Sequence, residues 1–398
     1  MAADFFRNHF CVAVDKDEVV LFAGEYEREV IRRHVFGSFG AMLEASAKHP
    51  AMLVYLDNAV SRRPPTKAEL KEIELPVRLE KKSKQAGRAA SDIAAQRGLN
   101  ENYARKLLEL HTLGVDNGYS QRDVEHVARA LTGRTYRDEP GQPIEFLFRP
   151  EMHDPGDKRF LHTLIKDDFQ DPQSEGEDVL AILKEHPGTT RFLSHKLCRH
   201  LVSDDPAPEL VERVAAVFRR TRGDIPSLLR AIAGDPAFFA PENHRAKLKR
   251  PFEFVVSALS LTGAEIQDAR AILVVLRELN ENLYECKDPT GYYDQAEAWL
   301  DPGALAGRWK FAADLAHGEA TGVRIPAAFH AELPAGAPER WVEWLLHRLL
   351  PTGLDPRAAR HLDALVAAEL ARESSRDLGR LARSLVAAIL GSPDFQRQ

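Results

Sequence analysis

Three short polar pairs and one helix face hold the side chains of this chain that could do chemistry. Asn8 and His9 sit among aromatic residues in "FFRNHF", Asp57 and Asn58 close the apolar run "AMLVYLDN", and His153 and Asp154 begin "HDPG". With Glu109 and His111 they are the residue types that ligate a divalent metal or move protons as general acids and bases. None has a diagnostic metal spacing, so the fold must assemble them. The helix face lies in "NENYARKLLELHTLG". At about 100° per residue, Asn102, Arg105, Glu109 and Thr112 share one arc, opposite Tyr103, Ala104, Leu107, Leu108 and His111. Arg105 and Glu109 are four apart and can pair along the helix surface. Glu109, His9 and Asp57 are therefore the candidate catalytic groups. Asn8, Asn58, Asn102, Arg105, His153 and Asp154 are candidate ligand-binding groups. A single site built from Asn8, His9, Asp57, Asn102, Arg105 and Glu109 requires these side chains to converge.

A second, basic group lies in "TTRFLSHKLCRH", where His195, Lys196, Arg199 and His200 face away from Leu193, Leu197 and Leu201. It reads as a solvated helix side or as a site for a sulfate, phosphate or carboxylate, with His195 and Arg199 as ligands. "KLKRPFEF" could add to such a site. The phosphate-binding glycine loop, the dinucleotide fingerprint, the His-Glu-x-x-His zinc helix and the Gly-x-Ser-x-Gly elbow are all absent from the sequence. "DNGYSQRD" lacks the spaced carboxylates and the placed glycine of a calcium loop.

The elements that must position these residues are mainly helical. Leu210, Val211, Val214 and Phe218 form one apolar stripe, as do Leu378, Leu381, Leu385 and Ile389. Further helices are expected near 17–36, 39–48, 251–262, 265–280, 303–317, 338–349 and 355–372. Asn100 and Ser120 are expected N-caps, with Asp123 completing a capping box and Gly133 ending that helix. Pro50, Pro187, Pro236 and Pro393 each follow a small or polar pair and can open a helix, since the first helical position needs no N–H donor. A β-hairpin is expected near 143–165, turning at "HDPG". The charged stretch 61–100 reads as an excursion, and 282–302 as an irregular aromatic loop. The fold class is mainly α: a single large multi-helix domain, 1–398, with a small β-hairpin.

The bulk numbers bound the function. Of 398 residues, 44% are hydrophobic and 29% charged, the balance of a globular chain. A net charge of −6 argues against nucleic acid as a partner, because that binding needs clustered lysine and arginine. No apolar run reaches membrane-spanning length. The start lacks the basic and apolar regions of a secretory signal. Cys11, Cys198 and Cys286 are too few and scattered for a disulfide framework and read as buried thiols.

The stretches "FFRNHF", "AGEYEREVIRRHVFGSF", "HPAMLVYLDNAVS", "GLNENYARKLLELHTLGVDNGYSQRDVEHVARALTG", "FRPEMHDPGDKRFL", "HPGTTRFLSHKLCRHLV" and "ILGSPDFQ" resemble, in order and over nearly the whole chain, the bacterial family numbered 1800 in the domain-of-unknown-function series. The resemblance implies a mainly helical fold, retention of the Asn8–His9 pair, and weight on the Asn102–Arg105–Glu109–Thr112 arc as a site. It also implies that members are often exported and lie beside genes for a sulfatase-like or alkaline-phosphatase-like protein, a possible partner. The family pattern has a further stretch ahead of the Asn-His-Phe motif, so this chain reads as a shortened form or as one whose start lies upstream. The 61–100 excursion is longer than the family norm. The expected function is a ligand-binding or accessory protein handling an anionic or polyhydroxylated molecule. The alternatives are a hydrolase, metal-dependent or not, and a structural interaction protein.

Overall fold

The computed structural model describes residues 1–66, 69, 98–139, 141–372 and 377–398, so most of the expected charged excursion lies outside the described residues. Among the described residues it contains seventeen α-helices, two π-helical segments and three two-stranded antiparallel sheets, a mainly α chain with small hairpins. These residues group into two compact units, a finer division than the one domain anticipated. The first comprises Met1–Cys198, Ala207–Asp235 and Tyr284–Gly291. The second comprises Arg199–Pro206, Pro236–Leu283 and Tyr292–Gln398. No helix among the described residues is long and apolar enough to cross a membrane.

In the first unit the helix Ala2–His9 drives Phe5 and Phe6 into the core, with Phe10 just beyond it. Phe10 stacks on Phe39 at 5.9 Å between ring centres, and Phe39 meets Phe218 edge-on at 5.9 Å. Helix starts follow local chemistry. Ser38 accepts the Ala41 N–H to begin Phe39–Lys48, and the Nδ1 of His49 accepts the Ala51 N–H to begin Pro50–Tyr55. His186 does the same for the Gly188 N–H at 3.0 Å, ahead of the helix Pro187–Leu201. Asn100 and Ser120 cap their helices, and Asp123 completes the capping box. Pro236 opens only a short 3₁₀ turn. Pro393 opens no helix: the residues after it run along Leu248, with an antiparallel bridge between Leu248 and Arg397.

Two helices change pitch midway. Val19–Glu25 continues as a π-helix over Tyr26–Arg32, and Glu101–Lys106 continues as one over Leu107–Thr112. In the second, the Leu113 N–H donates to Leu108 O at 2.8 Å, and the Thr112 hydroxyl donates to Leu107 O at 2.6 Å. A π-turn holds more residues than an α-turn and rotates whatever follows it. Thr112, expected on the polar arc, is therefore fully buried.

The hairpin expected near 143–165 is two hairpins. Strand β1 (Arg134–Tyr136) pairs with β2 (Phe146–Phe148), and β3 (Lys158–Phe160) pairs with β4 (Thr163–Ile165). "HDPG" joins β2 to β3 without closing either hairpin. Pro155 is locked near φ −65° and cannot supply the positive φ that a tight hairpin turn needs. Beneath these strands lies a buried polar cluster. Lys158 pairs with Glu175, and the His153 Nε2 lies 3.2 Å from the same carboxylate, with all three residues at most 5% exposed.

In the second unit the helix Pro302–His317 packs along Leu378–Leu390. Leu381, Leu385 and Ile389 are buried as the stripe requires, whereas Leu378, at the helix start, is exposed. The span expected as a helix at 265–280 begins instead with strand β5 (Glu265–Ile266), paired with β6 (Val323–Arg324), and becomes helical at Ala269–Glu278. Asp268 caps that helix and sets the boundary.

Replacing Lys158 with methionine strips the buried Glu175 of its ammonium partner. The expected loss is about 3–5 kcal/mol in urea unfolding. Arg33→Ala, at an exposed pair with Glu29, should cost less than about 1 kcal/mol.

Candidate functional site

The π-segment Leu107–Thr112 carries the candidate site on both of its sides. Its inner side presents His111, 2% exposed. Its outer side presents Glu109, whose side chain is 18% exposed.

On the inner side, His9 is 1% exposed and both its ring nitrogens are engaged. Nε2 lies 3.1 Å from the carbonyl of His111, so that nitrogen carries the proton and donates. Nδ1 is then the acceptor, 3.2 Å from the Lys196 ammonium. Burial, then Lys196 and His111, push the His9 pKa well down. Burial, then Lys196, push His111 down to about 3. Both rings are neutral at pH 7. Further round the same first helix, Arg7 bonds Glu27 at 3.1 Å and Asp4 at 3.3 Å, and the Tyr284 hydroxyl donates to Glu27. Burial disfavours the Arg7 charge, but the two carboxylates outweigh it and the net movement of its pKa is upward. Asn8 meets the segment Tyr284–Gly291. A Cβ on Gly291, at φ +75°, would lie 2.4 Å from Asn8 O, so only glycine fits there.

On the outer side, five side chains hold one another. Arg105 donates to Gln121 Oε1 at 2.6 Å and lies 3.5 Å from Glu101 and 3.7 Å from Glu109. Gln121 Nε2 donates back to Glu101 at 2.6 Å, and the Tyr119 hydroxyl bonds Glu109. Arg105 and Glu101 remain more than a third exposed. The array presents carboxylate acceptors, guanidinium and amide donors, and an aromatic edge, with a net charge of −1 from Glu101, Glu109 and Arg105.

The other sequence candidates fall outside these two sets. Asp57, at φ +57°, pairs with Lys16 at 2.8 Å. Asn58 is buried and donates to Leu131 O. Asn102 is exposed, its N–H donating to the Asn100 side chain. His153 belongs to the buried Glu175–Lys158 cluster, and Asp154 pairs with Arg129 at 2.8 Å. His195 is half-buried, and the Arg199 Nε donates to Asp204 O. The contacts thus distribute the six residues required to converge among separate groups: Arg105 with Glu109, His9 with His111 and Lys196, Asn8 with Gly291, Asp57 with Lys16, and Asn102 with Asn100.

The basic segment at 247–250 points inward rather than toward a ligand. Lys247 pairs with Asp204, Lys249 donates to Phe395 O at 2.8 Å, and Arg250 bonds Glu281 at 3.1 Å. Taken unit by unit, the described residues bring no three His, Cys, Asp or Glu ligand atoms together at metal spacing. A cleft of about 260 Å³ in the second unit has an apolar floor including Val275, Leu279 and Phe311 and an acidic mouth at Glu278, Asp314 and Glu319. Lys310 also lines it, paired with Asp314, so the acidic groups still outnumber the basic one, and none of the sequence candidates lines it.

Reasoning from sequence missed Asp4, Arg7, Glu27 and Tyr284. Asp4 and Arg7 are three apart on one face of a phenylalanine-rich helix, which was the available signal. Glu27 lies beyond a change of pitch, and Tyr284 is distant in sequence.

Two neutral buried histidines make stability acid-sensitive. The unfolded chain takes up their protons below about pH 6.5, whereas the folded chain resists until well below that. Their contribution is complete above pH 6.5 and falls with pH toward the folded values, by roughly 1.4 kcal/mol per pH unit for each ring. Urea midpoints measured from pH 7 to pH 5 should fall steadily, and His111→Gln should flatten the slope. A flat wild-type profile would mean that these rings are charged in the folded state.

No curated protein and no solved structure matches the chain. The family described as "Protein of unknown function (DUF1800)" matches residues 1–397. With the match covering essentially the whole length, the chain belongs to this family.

Proposed function

We propose that the protein is a ligand-binding or accessory protein whose ligand is polyhydroxylated, such as an oligosaccharide, and that it binds at the Glu101–Arg105–Glu109–Tyr119–Gln121 array. One observation carries this reading: five side chains, none of them buried, are linked to one another by hydrogen bonds and by the Arg105–Glu109 ion pair before any ligand arrives. Sugar hydroxyls both donate and accept, so a fixed fence of carboxylate, amide and guanidinium groups matches them. Fixing the fence beforehand removes much of the ordering cost of binding. An isolated surface pair would contribute little, but these groups form a network. The net negative charge of the array favours a neutral ligand over an anion.

The hydrolase reading has less support. The carboxylate of Asp57 is paired with a lysine, and those of Glu109 and Asp154 with arginines. Both nitrogens of His9 are held by neighbours, so these four candidates offer no free base beside a free acid. A sulfatase-like partner, implied by the resemblance, would fit an accessory role in handling a sugar. The net charge of −6 speaks against nucleic acid.

Calorimetric titration with a panel of neutral oligosaccharides tests the proposal. Arg105→Ala should weaken binding about tenfold or more, equivalent to about 1.4 kcal/mol, while the melting temperature stays nearly constant. Glu109→Ala should weaken it similarly. Equal affinity in wild type and Arg105→Ala would move the site elsewhere. Release of reducing ends that disappears in Glu109→Gln would favour the hydrolase.

A further inference from the structure

Three contacts tie Tyr284–Gly291 to the stretch around the end of the first helix. The Val14 N–H donates to Tyr284 O at 2.7 Å, Cys11 Sγ lies 3.7 Å from Cys286 O, and Gly291 abuts Asn8. Residues 14, 11 and 8 thus face 284, 286 and 291 in turn, so the two segments run antiparallel. The middle contact places two thiols side by side. Cys11 hydrogen-bonds the Cys286 side chain as well as its carbonyl, across 275 residues of sequence. Cys198 stands apart, its thiol near Asp235 and Arg213. All three cysteines are buried and unlinked.

We propose that Cys11 and Cys286 are a site of oxidative modification, joined as a disulfide when the chain folds in the presence of a disulfide donor. The Cys11 sulfur already touches the Cys286 carbonyl and interacts with its thiol, so the two side chains are neighbours, and closing the bond brings the sulfurs to about 2.05 Å. The donor is an oxidised dithiol carrier or oxidised glutathione. One protein thiolate attacks the donor's S–S bond and expels a donor thiolate. The second protein thiolate then attacks the mixed disulfide and expels the other. The protein loses two electrons and two protons, and the donor gains them as two thiols.

Timing follows from burial. Cys11 and Cys286 are 5% and 9% exposed, and the Cys286 bond together with burial holds the Cys11 thiol protonated. A buried thiol is a poor nucleophile. The bond therefore forms during folding, and once closed it is shielded from reductants. It is a permanent staple rather than a sensor.

The test is to unfold the full chain under reducing conditions and refold it in a glutathione redox buffer, then alkylate it and map its peptides by mass spectrometry. The expected product is lighter by two hydrogens before alkylation, carries a linked pair of peptides containing Cys11 and Cys286, and is alkylated only at Cys198. Its melting temperature should exceed that of the reduced protein by several degrees, since closing so long a loop restricts the unfolded chain. Cys198→Ser should form the same link. Folded protein with all three thiols alkylated, or a link involving Cys198, would overturn the proposal. Because Cys286→Ser can fail to fold, the peptide map of the wild type is decisive.

Discussion

A short helix that carries charge into the interior sets the terms for the first unit. Ala2–His9 has eight residues, too few to be stable alone. Its phenylalanines require burial, and burying them takes Asp4 and His9 out of water and leaves Arg7 largely covered as well. Each of those groups then needs a partner, because an uncompensated buried charge or polar group costs several kcal/mol. The partners come from remote sequence: Glu27 and the His111 carbonyl from the two π-segments, Lys196 from a later helix, and Tyr284 from a segment nearly three hundred residues on. Much of the irregular geometry around this helix is the consequence of supplying them.

The polar residues of this chain serve two purposes, and the difference lies in solvent rather than in residue type. His153, Lys158 and Glu175 form a water-excluded cluster in which each group satisfies another. Glu101, Arg105 and Glu109 are the same kinds of group at the surface, where their outer lone pairs and N–H donors still face water. The first arrangement fixes the position of the hairpins beside it. The second leaves hydrogen-bonding capacity for something else.

Local chemistry was legible in the sequence, and long-range pairing was not. Ser120 with Asp123, Asn100, and the helices at 39–48 and 251–262 follow from capping rules and apolar periodicity, which act within a few residues. Thr112 was misplaced because a fixed 100° step cannot anticipate a π-turn. "HDPG" was misread because its histidine and aspartate bond to Glu175 and Arg129, which the local pattern does not mention. The lysines and arginine at 247–250 pass for a solvated basic patch until the C-terminal residues close over them. For the site, Arg105 with Glu109 was visible as an i, i+4 pair. The parts added by Gln121 and Tyr119 come from beyond a turn.

The first unit is assembled from three stretches, the last of them Tyr284–Gly291. A ribosome delivers residues in order, so this unit waits for a strip that is complete only 56 residues after Asp235, about 3–11 s later at ordinary elongation rates. Until then Asn8, Cys11 and Val14 lack the neighbours that will cover them. Nascent chains of this protein therefore present a nearly finished domain with one seam open, the interval in which a chaperone would find something to hold.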